Sequence, residues 1–231
     1  MHGFRARGEH GVLQIDTAYQ NYLLISKGTG SFTAKSGYTG FYFDVPVPSV
    51  RSLVAARTRL GKLFNMYGVL TTSGQVYQRF YSATSGGTLE FFIFDTEAAE
   101  GGTYGLRIRD DAGRLVYNSN NPTLKVVGVL PGESTSSDPW MLTENRTRNF
   151  SFPLSQRPLA IVFNGQGYAY FASGGSEVFR FYETVSTTTS VVTRATRWDS
   201  YESGGGVSPS VNDGGRAEGL VIDVGAIDDP A

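Results

Sequence analysis

The sequence predicts an all-β protein built as two tandem antiparallel β-sandwich units. Unit one spans residues 1–101 and unit two residues 102–231, with long polar loops near 130–148 and 202–217. Three observations lead there. The chain holds 29 Gly, 15 Phe and 13 Tyr with many Thr, Ser and Val, a mixture that favours strands and turns over helices. Phe4, Ala6 and Val12, Leu13, Ile15 alternate or cluster around polar partners, as a half-buried hairpin should. The chain also repeats itself. Shifting "HGFRARGEHGVLQIDTAYQNYLLIS" by 102 positions lays it on "YGLRIRDDAGRLVYNSNNPTLKVVG" without a gap, Gly3 on Gly105, Arg5 on Arg107, Arg7 on Arg109, Gly11 on Gly113 and Leu13 on Leu115.

The elements follow in order. The opening segment reads as a hairpin turning near His10-Gly11. "GTGSFTAKSGYTG" (Gly28–Gly40) reads as a glycine-rich loop, and "FYFDVPVP" (Phe41–Pro48) as a short strand that its prolines confine to an edge. "SLVAART" and "KLFNMYGVLTT" are the next strands. The propensities of "RSLVAARTRLGKL" also allow a helix, but "RPLAIVFNGQG" (Arg157–Gly167) occupies the same relative place and its β-branched run favours a strand. "QVYQRFYSAT", a turn at Gly86-Gly87 and "LEFFIFDT" complete the first half.

The repeat extends beyond the hairpin. "FYF" at 41–43 matches "FSF" at 150–152, Arg51-Ser-Leu53 matches Arg157-Pro-Leu159, and "GQVYQRFY" matches "SEVFRFY"; "FFIFDT" matches "RATRWDS" weakly. The order never inverts, which points to tandem duplication. Inward Phe, Val, Leu and Ile fill each sandwich. The tail supplies a last strand, "GLVIDV" (Gly219–Val224), placed to complete a sheet left open by the duplication.

Composition excludes several classes. Hydrophobic residues at 40% and charged ones at 18% support a packed core, not a disordered chain. A net charge of -1 gives no basic face for nucleic acid, so none is expected as a partner. Without cysteine there is no disulfide framework and no thiolate metal site. No stretch approaches the ~18 apolar residues of a membrane helix, and the first residues lack an apolar leader, so neither membrane insertion nor a secretory peptide is expected.

Chemistry-bearing residues are sparse. His2 and His10 are the only histidines and sit in the first hairpin, where they read as turn residues; a histidine-dependent nucleophile has little to work with. Asp110-Asp111 and Asp228-Asp229 read as solvated pairs. Asp44, Asp95 and Asp199 at strand ends are conceivable acids for a glycan hydrolase, but nothing in the sequence pairs them. "NSNN" (118–121) and "NDGG" (212–215) lack calcium-loop spacing and read as corners that satisfy their own backbone. The expectation is therefore no catalytic residue, no cofactor and no metal.

Two sets of residues remain as candidates for binding. Arg5, Arg7, Arg107 and Arg109 alternate with Phe4, Ala6, Leu106 and Ile108, so each pair leaves its strand on one face. That face is either simply solvated or a docking surface whose guanidinium forks pair with carboxylates. Trp140, Trp198 and Tyr201, with Tyr19, Tyr22 and Tyr38, fall at loop-like places and are candidates for receptor, carbohydrate or protein contact.

The hairpin carries a resemblance. Tyr104, Gly105, Leu106, Ile108, Gly113, Leu115 and Asn118, echoed by Gly3, Phe4, Gly11, Leu13 and Asp16, resemble the opening of small tail-tip or baseplate-associated structural proteins of long-tailed bacteriophages. The similarity covers about 25 residues per copy, here doubled. It implies a virion structural protein of the phage tail, made in the host cytoplasm and acting by assembly. Its implied partners are other tail or baseplate proteins, with symmetric copies about a three- or six-fold axis and contact with the host surface. A receptor- or carbohydrate-binding module of the tail is the alternative.

Overall fold

Strand alternation decides which side chains each sheet buries, and the sheets follow from it. The computed structural model describes residues 5–7, 13–16, 21–34, 40–58, 64–82, 84–96, 105–130, 147–152, 158–163, 168–171, 176–184, 190–200, 211–213 and 219–228. The strands begin with β1 (Arg5–Arg7), β2 (Leu13–Asp16), β3 (Leu23–Ser31), β4 (Thr33–Ala34), β5 (Phe41–Val47), β6 (Leu53–Thr58), β7 (Asn65–Thr72), β8 (Gln75–Ser82) and β9 (Thr88–Asp95). They continue with β10 (Arg107–Arg109), β11 (Leu115–Asn118), β12 (Val126–Leu130), β13 (Thr147–Ser151), β14 (Leu159–Phe163), β15 (Tyr168–Phe171), β16 (Ser176–Thr184) and β17 (Ser190–Ser200). Last come β18 (Val211–Asp213), β19 (Gly219–Asp223) and one helical turn, α1 (Gly225–Asp228). Every strand pair among the described residues is antiparallel, so the all-β expectation is borne out.

One six-stranded sheet, ordered β12-β19-β14-β6-β9-β3, forms the central wall. It takes β3, β6 and β9 from before residue 102 and β12, β14 and β19 from after it. The order reads the same from either end: an edge strand, the last strand of its half, then the strand that meets the other half. Outside the wall lie a four-stranded sheet, β4-β5-β8-β7, and a five-stranded one, β13-β17-β16-β15-β18. Hairpins β1-β2 and β10-β11 are separate two-stranded ribbons.

The registers repeat as well. In β3–β9, Leu24 pairs with Phe94 and Ser26 with Ile93, leaving Ile25 as the extra residue of a bulge. In β12–β19, Val126 pairs with Ile222 and Gly128 with Val221, leaving Val127. This sets Phe94 against Ile222 and Asp95 against Asp223. Carried into the next ladders, where Leu53 pairs with Phe94 and Ala160 with Ile222, it sets Leu53 against Ala160 and Ala55 against Val162. Ala55 and Val162 are themselves partners in the β6–β14 ladder. An antiparallel pair of corresponding residues has a local two-fold axis through it.

A second such pair closes the wall. Leu24 N donates to Pro122 O at 2.8 Å and Leu124 N to Tyr22 O at 3.0 Å, around a bridge between Leu23 and Thr123. Tyr22 and Leu124 correspond under the 102-residue shift that also relates the two bulges. The two edge strands thus meet where they begin, and the wall is a ring at that level.

Its two faces bury different things. One face carries Val54, Ala56, Ile93, Leu159, Ile161 and Val221, packed with Val45, Val47, Phe64 and Phe80 of the outer layer. Phe163 meets Phe64 edge-on at 5.5 Å and lies 6.2 Å from Phe80, so aromatic packing ties the second half to the first half's outer sheet. The other face carries Ala55, Phe92, Phe94, Ala160, Val162 and Ile222, sealed by Val224 and Ile227 of the tail. Among the described residues, that cluster draws nothing from the outer sheets. Lys27 Nζ donates to Ile227 O at 2.8 Å and fastens α1 against β3. Each fully buried Phe or Leu contributes about 1.5–3 kcal/mol relative to exposure.

A charge pair sits on this second face. Arg57 and Glu90 are ladder partners at the β6–β9 step, 2.5 Å apart and nearly buried, with the guanidinium 5.6 Å from the Phe92 ring.

Several expectations change. Gly28 and Gly30 are not loop residues; they lie inside β3. A Cβ on Gly28 would stand 2.6 Å from Phe91 Cζ, and one on Gly30 2.0 Å from Phe43 Cζ. These glycines mark rings pressed against a strand, which composition alone reads as a loop. Gly128 is alike, with Phe152 Cε1 2.2 Å from a built Cβ. The match of "FFIFDT" to "RATRWDS" fails, because β19 and not β17 holds β9's place in the wall. Matching Leu53 to Leu159 slips by one residue: Leu53 packs on the second face and Leu159 on the first, and a one-residue slip in a strand inverts every side chain. Part of the loop expected near 202–217 is strand β18. The proline strand β5 pairs with β8 throughout and with β4 only at residues 41 and 42, so among the described residues no strand pairs with the other side of Pro46. Leu53–Thr58 is strand, not helix. The polar segment 132–140 lies outside the described residues.

Two outcomes follow from this packing. Gly30→Ala is expected to lower stability by about 1–3 kcal/mol through overpacking, read as a lower urea midpoint at unchanged slope, with Phe43→Leu in the same chain recovering part of it. Arg57→Ala or Glu90→Ala is expected to cost about 3–5 kcal/mol by stranding a buried charge, whereas Arg57→Leu with Glu90→Leu returns the midpoint to within about 1 kcal/mol of the parent or above it.

Candidate functional site

The arginine hairpins are built alike. In β1–β2, Arg5 pairs with Asp16, Ala6 with Ile15 and Arg7 with Leu13, so Gln14 is the bulge residue. In β10–β11, Arg107 pairs with Asn118, Ile108 with Tyr117 and Arg109 with Leu115, so Val116 is the bulge residue. Every partner and the bulge recur at the shift found in the sequence. A bulge withdraws one carbonyl from the ladder, and that group needs another donor. Val116 O finds it in Asn21 Nδ2 at 2.9 Å, which moors the second hairpin to the start of β3.

The alternation works as the sequence implies. Arg107 and Arg109 are exposed, Ile108 is half-buried between them, and Leu106 stands 53% exposed beside them. On the partner strand Leu115, Val116 and Asn118 are buried. Arg109 Nη1 donates to Gly113 O at 2.7 Å. Arg5 and Arg7 hold the corresponding register positions on β1.

The turn of this hairpin is organised by one carboxylate. Asp110 Oδ1 accepts from Arg114 N at 2.9 Å and Ala112 N at 3.0 Å, while Oδ2 accepts from Arg114 Nε at 2.7 Å. Gly113, at φ 78, supplies the left-handed step that closes the turn. The Arg114 backbone N–H, followed by the Arg114 side chain and the Ala112 N–H, holds the Asp110 carboxyl below its ordinary value. The "NSNN" corner closes on itself: Asn120 N donates to Asn118 Oδ1 at 3.1 Å and Asn121 N to Asn118 O at 3.0 Å. That is the self-satisfied corner expected from the sequence.

The conceivable acids are engaged separately. Asp44 takes Arg79 Nε at 2.6 Å and Nη2 at 2.7 Å in a two-point clamp across β5–β8. Arg79 is buried and lies 5.6 Å from the Tyr42 ring, Tyr42 stacks on Tyr81 at 6.2 Å, and Asn65 Nδ2 reaches Tyr81 Oη at 3.4 Å. Asp95, on a different sheet, accepts from Ser52 Oγ at 2.5 Å. Its counterpart Asp223 instead accepts from Lys125 Nζ at 3.0 Å. The sequence reading missed the Tyr42, Asn65, Arg79 and Tyr81 cluster. The signal was the alternation of "FYFD" with "QRFY", which places polar and aromatic residues on the face away from the core.

Of the aromatic candidates, Trp198 and Tyr22 lie among the described residues. Trp198 is the bulge residue of β17, between Arg197, which pairs with Val178, and Asp199, which pairs with Glu177. Glu177 therefore stands opposite Asp199, an acidic pairing the sequence reading did not single out. Tyr22 is half-buried and, like Leu24 and Leu124, packs against the second-face cluster. Trp140, Tyr201, Tyr19, Tyr38, His2 and His10 lie outside the described residues. Among the described residues no group of His, Cys, Asp and Glu is arranged to hold a metal ion, and no helix is long and apolar enough to cross a membrane.

The second ribbon can present alternate guanidinium groups to carboxylates from a bulged hairpin. The order of its turn has a pH limit. A lowered carboxyl value means that Asp110 contributes order above its unfolded value, near 3.8, and loses it as pH falls through the folded value. Carbon-detected NMR titration is expected to place the Asp110 midpoint below the ordinary carboxyl value of 3.8, and Arg114→Ala to raise it while leaving part of the lowering, since the backbone N–H remains.

Neither a protein-family model, nor a curated protein, nor a solved structure matches the chain.

Proposed function

We propose that the chain is a duplicated all-β unit that works by assembly, as a structural component of the tail tip or baseplate of a long-tailed bacteriophage. The observation that carries this reading is the doubled hairpin. A strand–turn–strand with one register, one bulge position and arginines at matching places occurs in both halves. A chain that keeps two copies of such a ribbon has a use for both. Its arginines meet carboxylates of neighbouring tail proteins, and copies of the chain stand around the tail axis in threes or sixes. Contact with the host surface is a role of the assembled particle. Asp44 and Asp95 serve the fold through Arg79 and Ser52, which favours binding over turnover as the activity.

The test is the particle itself. Purified phage particles from the source organism are expected to contain the chain at the tail tip, in a copy number divisible by three, as read by quantitative mass spectrometry and antibody labelling in electron micrographs. Particles that lack it, with the chain left in the soluble fraction, refute the reading.

A further inference from the structure

The two edges of the wall are equivalent in position and unlike in chemistry. Shifted by 102 residues, β3 lies on β12 bulge for bulge, with Leu24 on Val126 and Lys27 on Val129. Val126 pairs with Ile222 and Val129 with Leu220, two residues apart on β19, so the bulge at Val127 brings both valines to one face of the wall. That face is the second one, since Ile222 belongs to its cluster and Leu220 packs against it.

At β3 this margin is covered. Lys27, opposite Phe92, sends Nζ to Ile227 O at 2.8 Å and holds α1 in place, and Phe92 is buried. At β12 the same margin is bare. Val126 is 46% exposed, Val129 is 60% exposed, and Leu220, in the place of Phe92, is half-buried. Val50, Val69 and Leu106 are also exposed, but each stands by itself; among the described residues only Val126 and Val129 share a strand and a face. Strand β12 contains no charged residue, and Lys125 just before it is engaged by Asp223 at 3.0 Å. Among the described residues no strand pairs with the outer side of β12, the wall meeting itself only at the Leu23–Thr123 bridge.

We infer that this bare margin is the contact between two copies of the chain, β12 meeting β12 antiparallel about a two-fold axis. Edge strands are ordinarily blunted by a charge, above all by lysine, and β3 carries that charge where β12 has Val129. A charged segment laid on Val126, Val129 and Leu220 would lose water without gaining a counter-charge, so the occupant is itself an uncharged apolar edge. The chain holds such a segment in β12. Apolar contacts without charge are characteristic of interfaces between identical subunits, those between different proteins being more polar. A two-fold axis matches one patch with itself and sets the Val126 end of one copy against the Val129 end of the other.

The experiment uses the purified full chain. Size exclusion with light scattering is expected to show a concentration-dependent dimer. Val129→Lys, which gives β12 the residue that β3 carries, and Val126→Lys are each expected to weaken the dimer roughly tenfold or more. Both sites are exposed, and circular dichroism confirms that each variant is folded. Disulfide trapping reads the geometry, because the chain has no cysteine of its own. A mixture of chains carrying Val126→Cys with chains carrying Val129→Cys is expected to give mainly mixed disulfides. A chain that stays monomeric, a dimer indifferent to both lysines, a dimer lost instead on Arg107→Glu with Arg109→Glu, or disulfides between like chains alone overturns the inference. The dimer is read on the chain by itself, so it stands even where purified particles lack the chain and the tail assignment falls.

Discussion

The architecture depends on β6 and β14 meeting edge to edge. A three-stranded piece of sheet leaves a row of amides and carbonyls at its margin, and leaving such groups unpaired within a core is costly. Here each half supplies the margin the other needs, through Ala55 with Val162 and Ala56 with Ile161. Once that ladder forms, both faces of the wall are committed. One takes the outer sheets and the other closes on itself around Phe92, Phe94 and Ile222. Removing either half would open both cores at once. The halves are thus two in sequence and one in packing.

The charged groups fit into this frame. Arg57 with Glu90 and Arg79 with Asp44 are each directly opposed across neighbouring strands, so geometry already fixed by the ladder brings the charges together. Such pairs add little net stability over apolar residues of the same size, but they tolerate only one register. A strand slip by one residue would turn four charges into apolar surroundings without partners.

Much of this was legible in the chain. Strands β5, β6, β8, β9 and β14 announce themselves by β-branched and aromatic runs, and the hairpin by its ungapped internal echo. What was not legible has physical causes. Gly28 and Gly30 look like loop residues because the rings that press on them, Phe91 and Phe43, come from elsewhere in the chain. The one-residue slip at Leu53 arose because leucines match leucines in a string, whereas only the ladder tells which face each occupies. The place of β19 was half seen, since completing a sheet is a property of the fold and not of five residues. At the candidate site the arginines were found by alternation, but Asn21, which moors the second ribbon, carries no local signal. Its role exists only because Val116 is bulged.

The halves differ most at their outer layers. In the first, β5 lies directly against β8; in the second, β17 is wedged between β13 and β16, and β18 extends the far edge. The middle of the molecule looks alike after half a turn, while its flanks do not. Such a body possesses a head and a heel. A near half-turn symmetry at the heart is thus broken at the surface, so a body meeting one flank would not find the same surface at the other.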